Sequence, residues 1–298
     1  MVLRRQPVAD IMQERGDDPV EIGAVMVGGT VSQVMNSDVD GFENDDWVVA
    51  FGGWQDYALS DGKGVINMGK KPENPSWALG VLGMPGLTAW AGLTRIGQPK
   101  VGETLVVAGA SGPVGATVGQ IAKILGIRVV GIAGGPEKCA HVVDTLGFDS
   151  CIDYKADGFP EALKSAVPEG IDIYFENVGG AVFEAVLPLF NFFARMPVCG
   201  LIAQYNALEL PAGPNQIPLL MRSVLTKRLD IRGFIVWDFA EQEKEFVETM
   251  GAWIRDGRVK YREDIVDGLE NAPRTFMGLL EGKNFGKQII RVSADPTG

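Results

Sequence analysis

Apolar residues follow two different periods in the second half of the chain. From residue 104 onward, short runs of apolar and β-branched residues recur, and stretches with apolar positions at helical spacing separate them. This alternation predicts an α/β fold with a doubly wound parallel sheet. The predicted strands lie near 104–108, 129–133, 150–154, 171–177, 195–202 and 229–237.

The flanking parts of the chain have other patterns. Residues 24–34 alternate in part, 40–46 are rich in turn formers, and 47–51 and 54–58 are predicted strands. A helical pattern over 76–96 is interrupted at Gly83-Met84-Pro85-Gly86. The last part of the chain predicts helices over 239–256 and 271–282 and a closing strand over 287–292.

A glycine-rich turn follows the strand predicted at 104–108. Glycines at 109, 112 and 115, with Pro113 and Val114 between them, lead directly into a helical pattern. Such glycines allow a sharp turn and a close approach to a pyrophosphate, and the helix start offers unpaired N–H groups to it. Because a strand precedes the turn and a helix follows it, nucleotide binding is favoured over an ordinary strand-to-helix connection.

The end of the next predicted strand bears on the choice of cofactor. NAD-binding sites place an acid there, roughly 20 residues after the first glycine, whereas this chain has Ala133 and Gly134. These small residues leave room for a 2′-phosphate, and Lys138 supplies a cation, so the sequence predicts NADPH. Lys138 has an ordinary alternative as a solvated helix residue. Tyr154 could contact the adenine or the phosphate, or be only a strand-end aromatic residue.

Composition excludes several classes of function. The net charge of −11 disfavours nucleic-acid and anionic-membrane partners, and no apolar run is long enough for a spanning helix. Neither a signal sequence nor a disulfide framework is evident, so we expect a cytoplasmic protein. With cysteines only at 139, 151 and 199 and the one histidine at 141, we expect no metal site and no histidine in catalysis.

Further motifs occur in a fixed order and carry a family resemblance. The chain resembles the zinc-independent medium-chain dehydrogenase/reductase superfamily, and within it the NADPH-dependent alkenal/one oxidoreductases of the prostaglandin reductase type. The matching stretches include Gly52-Gly53-Trp54-Gln55-Asp56-Tyr57, Gly83-Met84-Pro85-Gly86, Glu176-Asn177-Val178-Gly179-Gly180 and Asn284-Phe285-Gly286-Lys287.

This resemblance implies a two-domain fold and a reaction. A GroES-like β-barrel domain would occupy 1–86, truncated at its start, a Rossmann domain 87–257, and residues 258–298 would return to the barrel. The family reduces the C=C bond of enones and enals by hydride transfer to the β-carbon. The resemblance adds further cofactor-binding residues, namely Asn177, Cys199, Gly200, Tyr205, Phe234, Ile235, Val236 and Asn284.

Several points stay open at this stage. Relatives often carry Tyr where this chain has Trp237, which cannot supply a proton. Tyr205 and Tyr57 are therefore the candidate catalytic donors, each with a structural role as the alternative. The other functional readings are a quinone reductase of the same superfamily and a noncatalytic NADPH-binding paralogue. The resemblance also implies a homodimer formed through Rossmann edge strands. The opening stretch 9–14 is expected to form a short helix or a disordered tail.

Overall fold

The central element of the fold is a parallel sheet. A computed structural model describes residues 20–205 and 216–293, so the opening stretch 9–14 lies outside the described residues. Within these ranges the sheet has the strand order β6-β5-β4-β7-β8-β9, which is that of a dinucleotide-binding domain and confirms the predicted fold. Its strands are β4 (Thr104–Ala108), β5 (Arg128–Ala133), β6 (Ser150–Asp153), β7 (Ile171–Phe175), β8 (Phe190–Val198) and β9 (Asp230–Gly233).

Helices cover both faces of this sheet. The α-helices of the described residues are, in chain order, α1 (Met84–Ala91), α2 (Pro113–Ile124), α3 (Pro136–Asp144), α4 (Phe159–Ala166), α5 (Gly180–Val186), α6 (Ile217–Lys227), α7 (Glu243–Arg255) and α8 (Ala272–Leu280), of which α8 lies in the returning segment outside this sheet. Side chains of β4 alternate between two buried clusters, with Leu105 and Val107 in one and Val106 and Ala108 in the other. A strand buried on both faces is continuously apolar, which is the pattern that predicted this sheet.

Two smaller sheets lie outside the central one. Strands β1 (Thr30–Gln33), β2 (Trp47–Ala50) and β3 (Ile66–Gly69) form an antiparallel sheet, and β10 (Glu263–Asp267) pairs in parallel with β11 (Lys287–Arg291). In the described part of the chain these strands form two separate sheets, which belong to the GroES-like domain that the resemblance implied to be truncated at its start.

Several predicted boundaries are corrected by the structure. Only 30–33 of the predicted 24–34 strand is a strand, and 54–58 is a bend, because the chain turns back and the Trp54 amide bonds the Met26 carbonyl at 2.8 Å. The strand predicted at 195–202 starts at Phe190 and ends at Val198, where the Cys199 amide instead bonds the Glu176 carbonyl. The other central strands end within four residues of prediction.

Two helices also begin at residues other than those predicted. Gly83-Met84-Pro85-Gly86 begins α1 rather than interrupting a longer helix, since proline is favoured in a first turn. Short helical turns at Pro75–Leu79 and Gly92–Gly97 flank that helix. A separate turn at Val236–Gln242 precedes α7, so the predicted 239–256 helix starts at Glu243.

Candidate cofactor and substrate site

The glycine-rich turn joins β4 to α2 at the carboxyl edge of the sheet. Gly109 has φ +66°, in the left-handed region that favours glycine. A Cβ on Gly115 would lie 2.4 Å from the Gly109 carbonyl oxygen, so a side chain there cannot fit without moving the turn. Gly112 precedes α2, and Pro113 opens its first turn ahead of Val114.

The start of α2 is suited to an anion. The amides of its first turn have no intrahelical acceptor, and no side chain caps them. The positive end of the helix dipole also lies there. Uncapped amides beside a turn that admits no Cβ fit the pyrophosphate of a dinucleotide.

A second cluster lies at the ends of β5 and β6. The buried Ala133 ends β5, and its carbonyl accepts a 3.1 Å hydrogen bond from the Tyr154 amide. A Cβ on Gly134 would lie 2.9 Å from the Tyr154 ring and 3.0 Å from Cε of Lys155. The structure thus brings Tyr154, which is 41% exposed, against the residues expected to face a 2′-phosphate.

Two lysines supply the positive charge of this cluster. Burial lowers the pKa of Lys138, and the neighbouring charge of Lys155 lowers it further. Lys138 Nζ donates a 2.7 Å hydrogen bond to the Gly282 carbonyl, which ties α3 to the loop after α8. Lys155 was not predicted from the sequence, although its position directly after Tyr154 was a usable signal. Two ammonium groups this close repel each other, and a phosphate dianion bound between them would remove that repulsion.

A third cluster lies where β7 and β8 end. The Asn177 side chain donates to the Ala108 carbonyl at 2.7 Å, and the Cys199 thiol donates to the Asn177 side-chain oxygen at 3.0 Å. A Cβ on Gly200 would lie 3.4 Å from the Tyr205 hydroxyl. Four predicted site residues therefore meet beside the glycine-rich turn, and Tyr205 is 48% exposed.

Glu176 is a buried carboxyl group behind this cluster, and the sequence alone did not indicate its role. Its carboxylate accepts hydrogen bonds from the amides of Val178 (2.6 Å) and Gly179 (2.8 Å). Burial raises the pKa of this carboxyl, and the two amides and the Tyr174 hydroxyl oppose the rise. Glu176 thereby fixes the turn that presents Asn177.

The segment after β9 contributes differently from what the resemblance implied. The side chains of Phe234 and Val236 are buried in the core, and the Phe234 ring packs edge-on against Phe175 and Phe239. Any cofactor contact here is left to the backbone and to Ile235, which is partly exposed. Trp237 is also exposed.

The returning segment closes over the glycine-rich turn. The Asn284 side chain donates to the Gly286 carbonyl at 2.9 Å, so it orders its own loop. A small cavity separates this loop from the turn, and its lining includes Ser111, Gly112, His141, Tyr261, Arg262 and Lys287. The two parts of the chain that were expected to hold a cofactor therefore face each other.

The remaining predicted donor lies apart from these clusters. Tyr57 is 78% exposed in the bend after β2. Among residues 20–205 and 216–293 there is no group of three or more His, Cys, Asp or Glu side chains that could hold a metal ion. The same ranges contain no helix long and apolar enough to cross a membrane.

Two family descriptions match the chain. "N-terminal domain of oxidoreductase" matches residues 8–68, and "Zinc-binding dehydrogenase" matches residues 113–252. The chain is 60% identical over 278 residues to the NADPH-dependent curcumin reductase of Escherichia coli (strain K12), a match that covers 93% of this chain and 81% of that protein.

Two further similarities agree with this. The 2-alkenal reductase (NADP(+)-dependent) of Nicotiana tabacum is 40% identical over 275 residues, which are 92% of this chain and 79% of that protein. The crystal structure of CurA from Vibrio vulnificus in complex with NADPH superposes with a TM-score of 0.90 at 56% identity, over 93% of this chain and 83% of that one.

These similarities confirm the expected cofactor and enzyme class. The chain is an oxidoreductase that uses NADPH, and the uncapped start of α2 and the two-lysine cluster fit that cofactor. Together with the sheet order, the similarities show that the chain belongs to the medium-chain dehydrogenase/reductase family, with the NADPH-dependent alkenal/one oxidoreductases.

Proposed function

We propose that this protein reduces the C=C bond of α,β-unsaturated aldehydes and ketones. One observation carries the proposal: the partly exposed Tyr205 lies beside Gly200 and Asn177 at the carboxyl edge of the sheet. Between β4 and β7 the strand order reverses, and ligands of such sheets bind at that point. Relatives named for acting on curcumin and on 2-alkenals support this class of substrate.

In the proposed mechanism the protein positions the cofactor and the substrate and polarises the substrate carbonyl group. When bound, NADPH would supply the hydride for the β-carbon. The turn 109–115 would hold its pyrophosphate, and Lys138, Lys155 and Tyr154 would hold its 2′-phosphate. The Tyr205 hydroxyl donates a hydrogen bond to the substrate carbonyl oxygen and stabilises the enolate that forms there. A proton taken from water at the α-carbon then completes the reduction and leaves hydroxide to the solvent.

The assignment of Tyr205 is tested against Tyr57. With a simple enone, Tyr205→Phe should lower kcat by about 10²–10³-fold, the usual cost of removing one oxyanion donor. Tyr57→Phe is the matched control and should keep the activity of the unchanged protein. Equal activity of the two variants would remove Tyr205 from the mechanism.

Product analysis tests the reaction itself. We expect the saturated carbonyl compound, and activity that survives EDTA, because no metal takes part in the proposal. An allylic alcohol product would contradict hydride transfer to the β-carbon. Turnover of quinones without turnover of enones would favour the quinone reductase alternative, and NADPH binding without any turnover would favour a noncatalytic protein.

We also propose that two copies associate through β9. This strand is at the edge of the sheet, and all four of its residues are exposed. Phe192 and Phe193 are exposed nearby, and Arg228 stacks over both rings at 4.7 Å. Pairing of the two edges would cover this apolar surface. Light scattering should give a mass twice the 32.0 kDa of one chain, and the Ile231→Pro variant should have the mass of a single chain. A monomeric unchanged protein would refute the pairing.

We propose the domain division 1–86, 87–257 and 258–298 with one adjustment. The first and last parts contact each other: the Trp77 and Tyr261 rings lie 5.7 Å apart, and the Ser76 hydroxyl donates to Glu263 at 3.1 Å. Because α1 begins at Met84 and packs in the Rossmann core, the first boundary is placed before that residue. The three unpaired cysteines fit a reducing compartment such as the cytoplasm.

A further inference from the structure

Arg262 carries a positive charge that no carboxylate balances. The residue directly precedes β10 and is exposed. Among residues 20–205 and 216–293 its guanidinium group has no ion-pair or hydrogen-bond partner; it lies over the Phe285 ring, 4.0 Å from the ring centre. The ring attracts the charge without supplying a hydrogen-bond acceptor. The five N–H donors of the guanidinium group are therefore available to a ligand.

The loop before β11 fixes the position of Arg262. The Arg262 carbonyl oxygen accepts a 2.9 Å hydrogen bond from the Lys287 amide. Gly286 has φ +91°, and a Cβ there would clash with the same carbonyl oxygen. The Phe285 amide bonds the Asp264 carboxylate at 3.0 Å. This loop therefore holds both the backbone and the side chain of Arg262.

Arg262 and the glycine-rich turn line the same cavity. Gly112 and Pro113 contribute to its lining from the turn, and Arg262 and Lys287 contribute from the returning segment. The turn side is the uncapped start of α2, where the pyrophosphate is proposed to bind. An unpaired guanidinium group near the positive end of a helix dipole is an unbalanced positive charge, which an anion bound between them would offset.

The two other basic side chains of this lining are placed differently. Burial lowers the pKa of Lys287, and the charge of Glu263, its neighbour in the β10–β11 pair, raises it. The His141 ring packs edge-on against Phe285, with the ring centres 5.0 Å apart. Burial and the charge of Arg262 lower the pKa of His141, so this ring is uncharged at neutral pH. Arg262 is therefore the cation in this lining whose charge stays unbalanced.

We propose that Arg262 binds the pyrophosphate of NADPH from the returning segment, opposite the glycine-rich turn. The planar guanidinium group can donate to two phosphate oxygens at once, and an ammonium group lacks this geometry. Phe285 is a positioning residue, because its ring holds the guanidinium group. The inference rests on the proposed placement of the pyrophosphate at the turn 109–115. It adds a ligand from outside the Rossmann sheet, so the bound cofactor joins the two parts of the chain.

The experiment measures the Kd of NADPH and of NADH by fluorescence titration of the full-length protein. Both dinucleotides contain the pyrophosphate, so Arg262→Met should raise both Kd values by about 10-fold, the lower end for a charged hydrogen bond because Arg262 is exposed. Arg258→Met is the matched control and should change neither value. Arg258 is also an exposed arginine over an aromatic ring, that of Trp253, and it does not line the cavity.

Two further variants separate the charge from its positioning. Arg262→Lys keeps the charge and should recover part of the affinity that Arg262→Met loses. Phe285→Leu should weaken NADH binding in the unchanged protein and have little further effect in the Arg262→Met background, because it acts through Arg262. NADH is the probe for this comparison since it has no 2′-phosphate. Additive effects of the two substitutions would refute the positioning role of Phe285.

The outcomes distinguish this proposal from the one on which it rests. A loss confined to NADPH would place Arg262 at the 2′-phosphate and overturn its assignment to the pyrophosphate. Unchanged affinities for both dinucleotides in Arg262→Met would overturn the proposal. If Gly115→Ala still weakens both dinucleotides in that case, the turn holds the pyrophosphate without Arg262. If Gly115→Ala also has no effect, the placement of the pyrophosphate at the turn is wrong as well.

Discussion

Replacing Lys138 by Met tests the proposed 2′-phosphate site most directly. Methionine keeps the length and apolar stem of the side chain and removes its charge and its three donors. In the structure the ammonium group lies beside Lys155 and bonds the Gly282 carbonyl at 2.7 Å. Two of its donors stay free to reach a phosphate. The variant therefore removes a phosphate contact and also a tie between α3 and the returning segment.

The magnitude follows from the environment of the ammonium group. Burial and the charge of Lys155 lower the pKa of Lys138, so a phosphate dianion relieves an unfavourable charge as well as accepting a hydrogen bond. One charged hydrogen bond contributes about 1.5–3 kcal/mol. Lys138→Met should therefore raise the Kd of NADPH by about 10- to 150-fold.

The assay is fluorescence titration with NADPH and NADH on one set of variants. Lys155→Met should weaken NADPH in the same direction, and Lys164→Met, an exposed lysine on α4, is the control that should change neither affinity. NADH affinity should fall less than about threefold in Lys138→Met, because only the lost tie to Gly282 affects it. Equal losses for NADPH and NADH would show that Lys138 acts through that tie alone and would refute the assignment.

Three other substitutions test the frame of the site. Gly115→Ala should weaken NADPH binding and lower the free energy of unfolding by about 1–3 kcal/mol, because the new Cβ would lie 2.4 Å from a backbone oxygen. Gly278→Ala is the control, since a Cβ there makes only ordinary contacts. Equal melting temperatures of the two variants would contradict the clash. Glu176→Gln should gain stability relative to the unchanged protein as pH rises above 4.5. Burial raises the pKa of Glu176 in the folded protein, so its stabilising contribution is present below the pKa of the unfolded chain and is lost as pH rises through the folded-state pKa. Parallel curves of unfolding free energy against pH would refute this. Phe246→Ala should lower the free energy of unfolding in urea by about 3–5 kcal/mol, since the Phe246 ring is fully buried against Trp90. Phe51 is exposed, so Phe51→Ala is the control and should change that free energy little. Similar unfolding midpoints of the two variants would show that this part of the core repacks.

The middle of the central sheet was predictable because its strands, such as Thr104–Ala108, are buried and apolar on both faces. The strand at Thr104–Ala108 matches its predicted bounds, and those at Arg128–Ala133 and Ser150–Asp153 differ by one residue. Elsewhere, backbone hydrogen bonds between distant segments decide the boundaries. The Trp54 amide bonds Met26, and the Cys199 amide bonds Glu176, so a strand is prevented in one place and ended in the other. Local periodicity does not contain these partners.

The site was predictable where the signal was local and not where it came from packing. The glycine-rich turn and Lys138 stand beside recognisable strand ends. Lys155 belongs to the phosphate cluster only because the chain after β6 folds back over Gly134. Phe234 lies in a stretch that the family resemblance associates with cofactor, yet its ring is held in the core between Phe175 and Phe239.

The two ends of the proposed cofactor site are held by different means. At the phosphate end, the Lys138 side chain on α3 donates a hydrogen bond to the Gly282 backbone carbonyl of the returning segment, so two separate elements hold this end. At the other end, the buried Glu176 fixes the amides of Val178 and Gly179, and Asn177 bonds the Ala108 carbonyl. The first arrangement depends on the relative position of separate elements, whereas the second is built within the carboxyl edge of one sheet. Changes that move α3 should therefore alter discrimination between NADPH and NADH without disturbing the edge where Tyr205 lies.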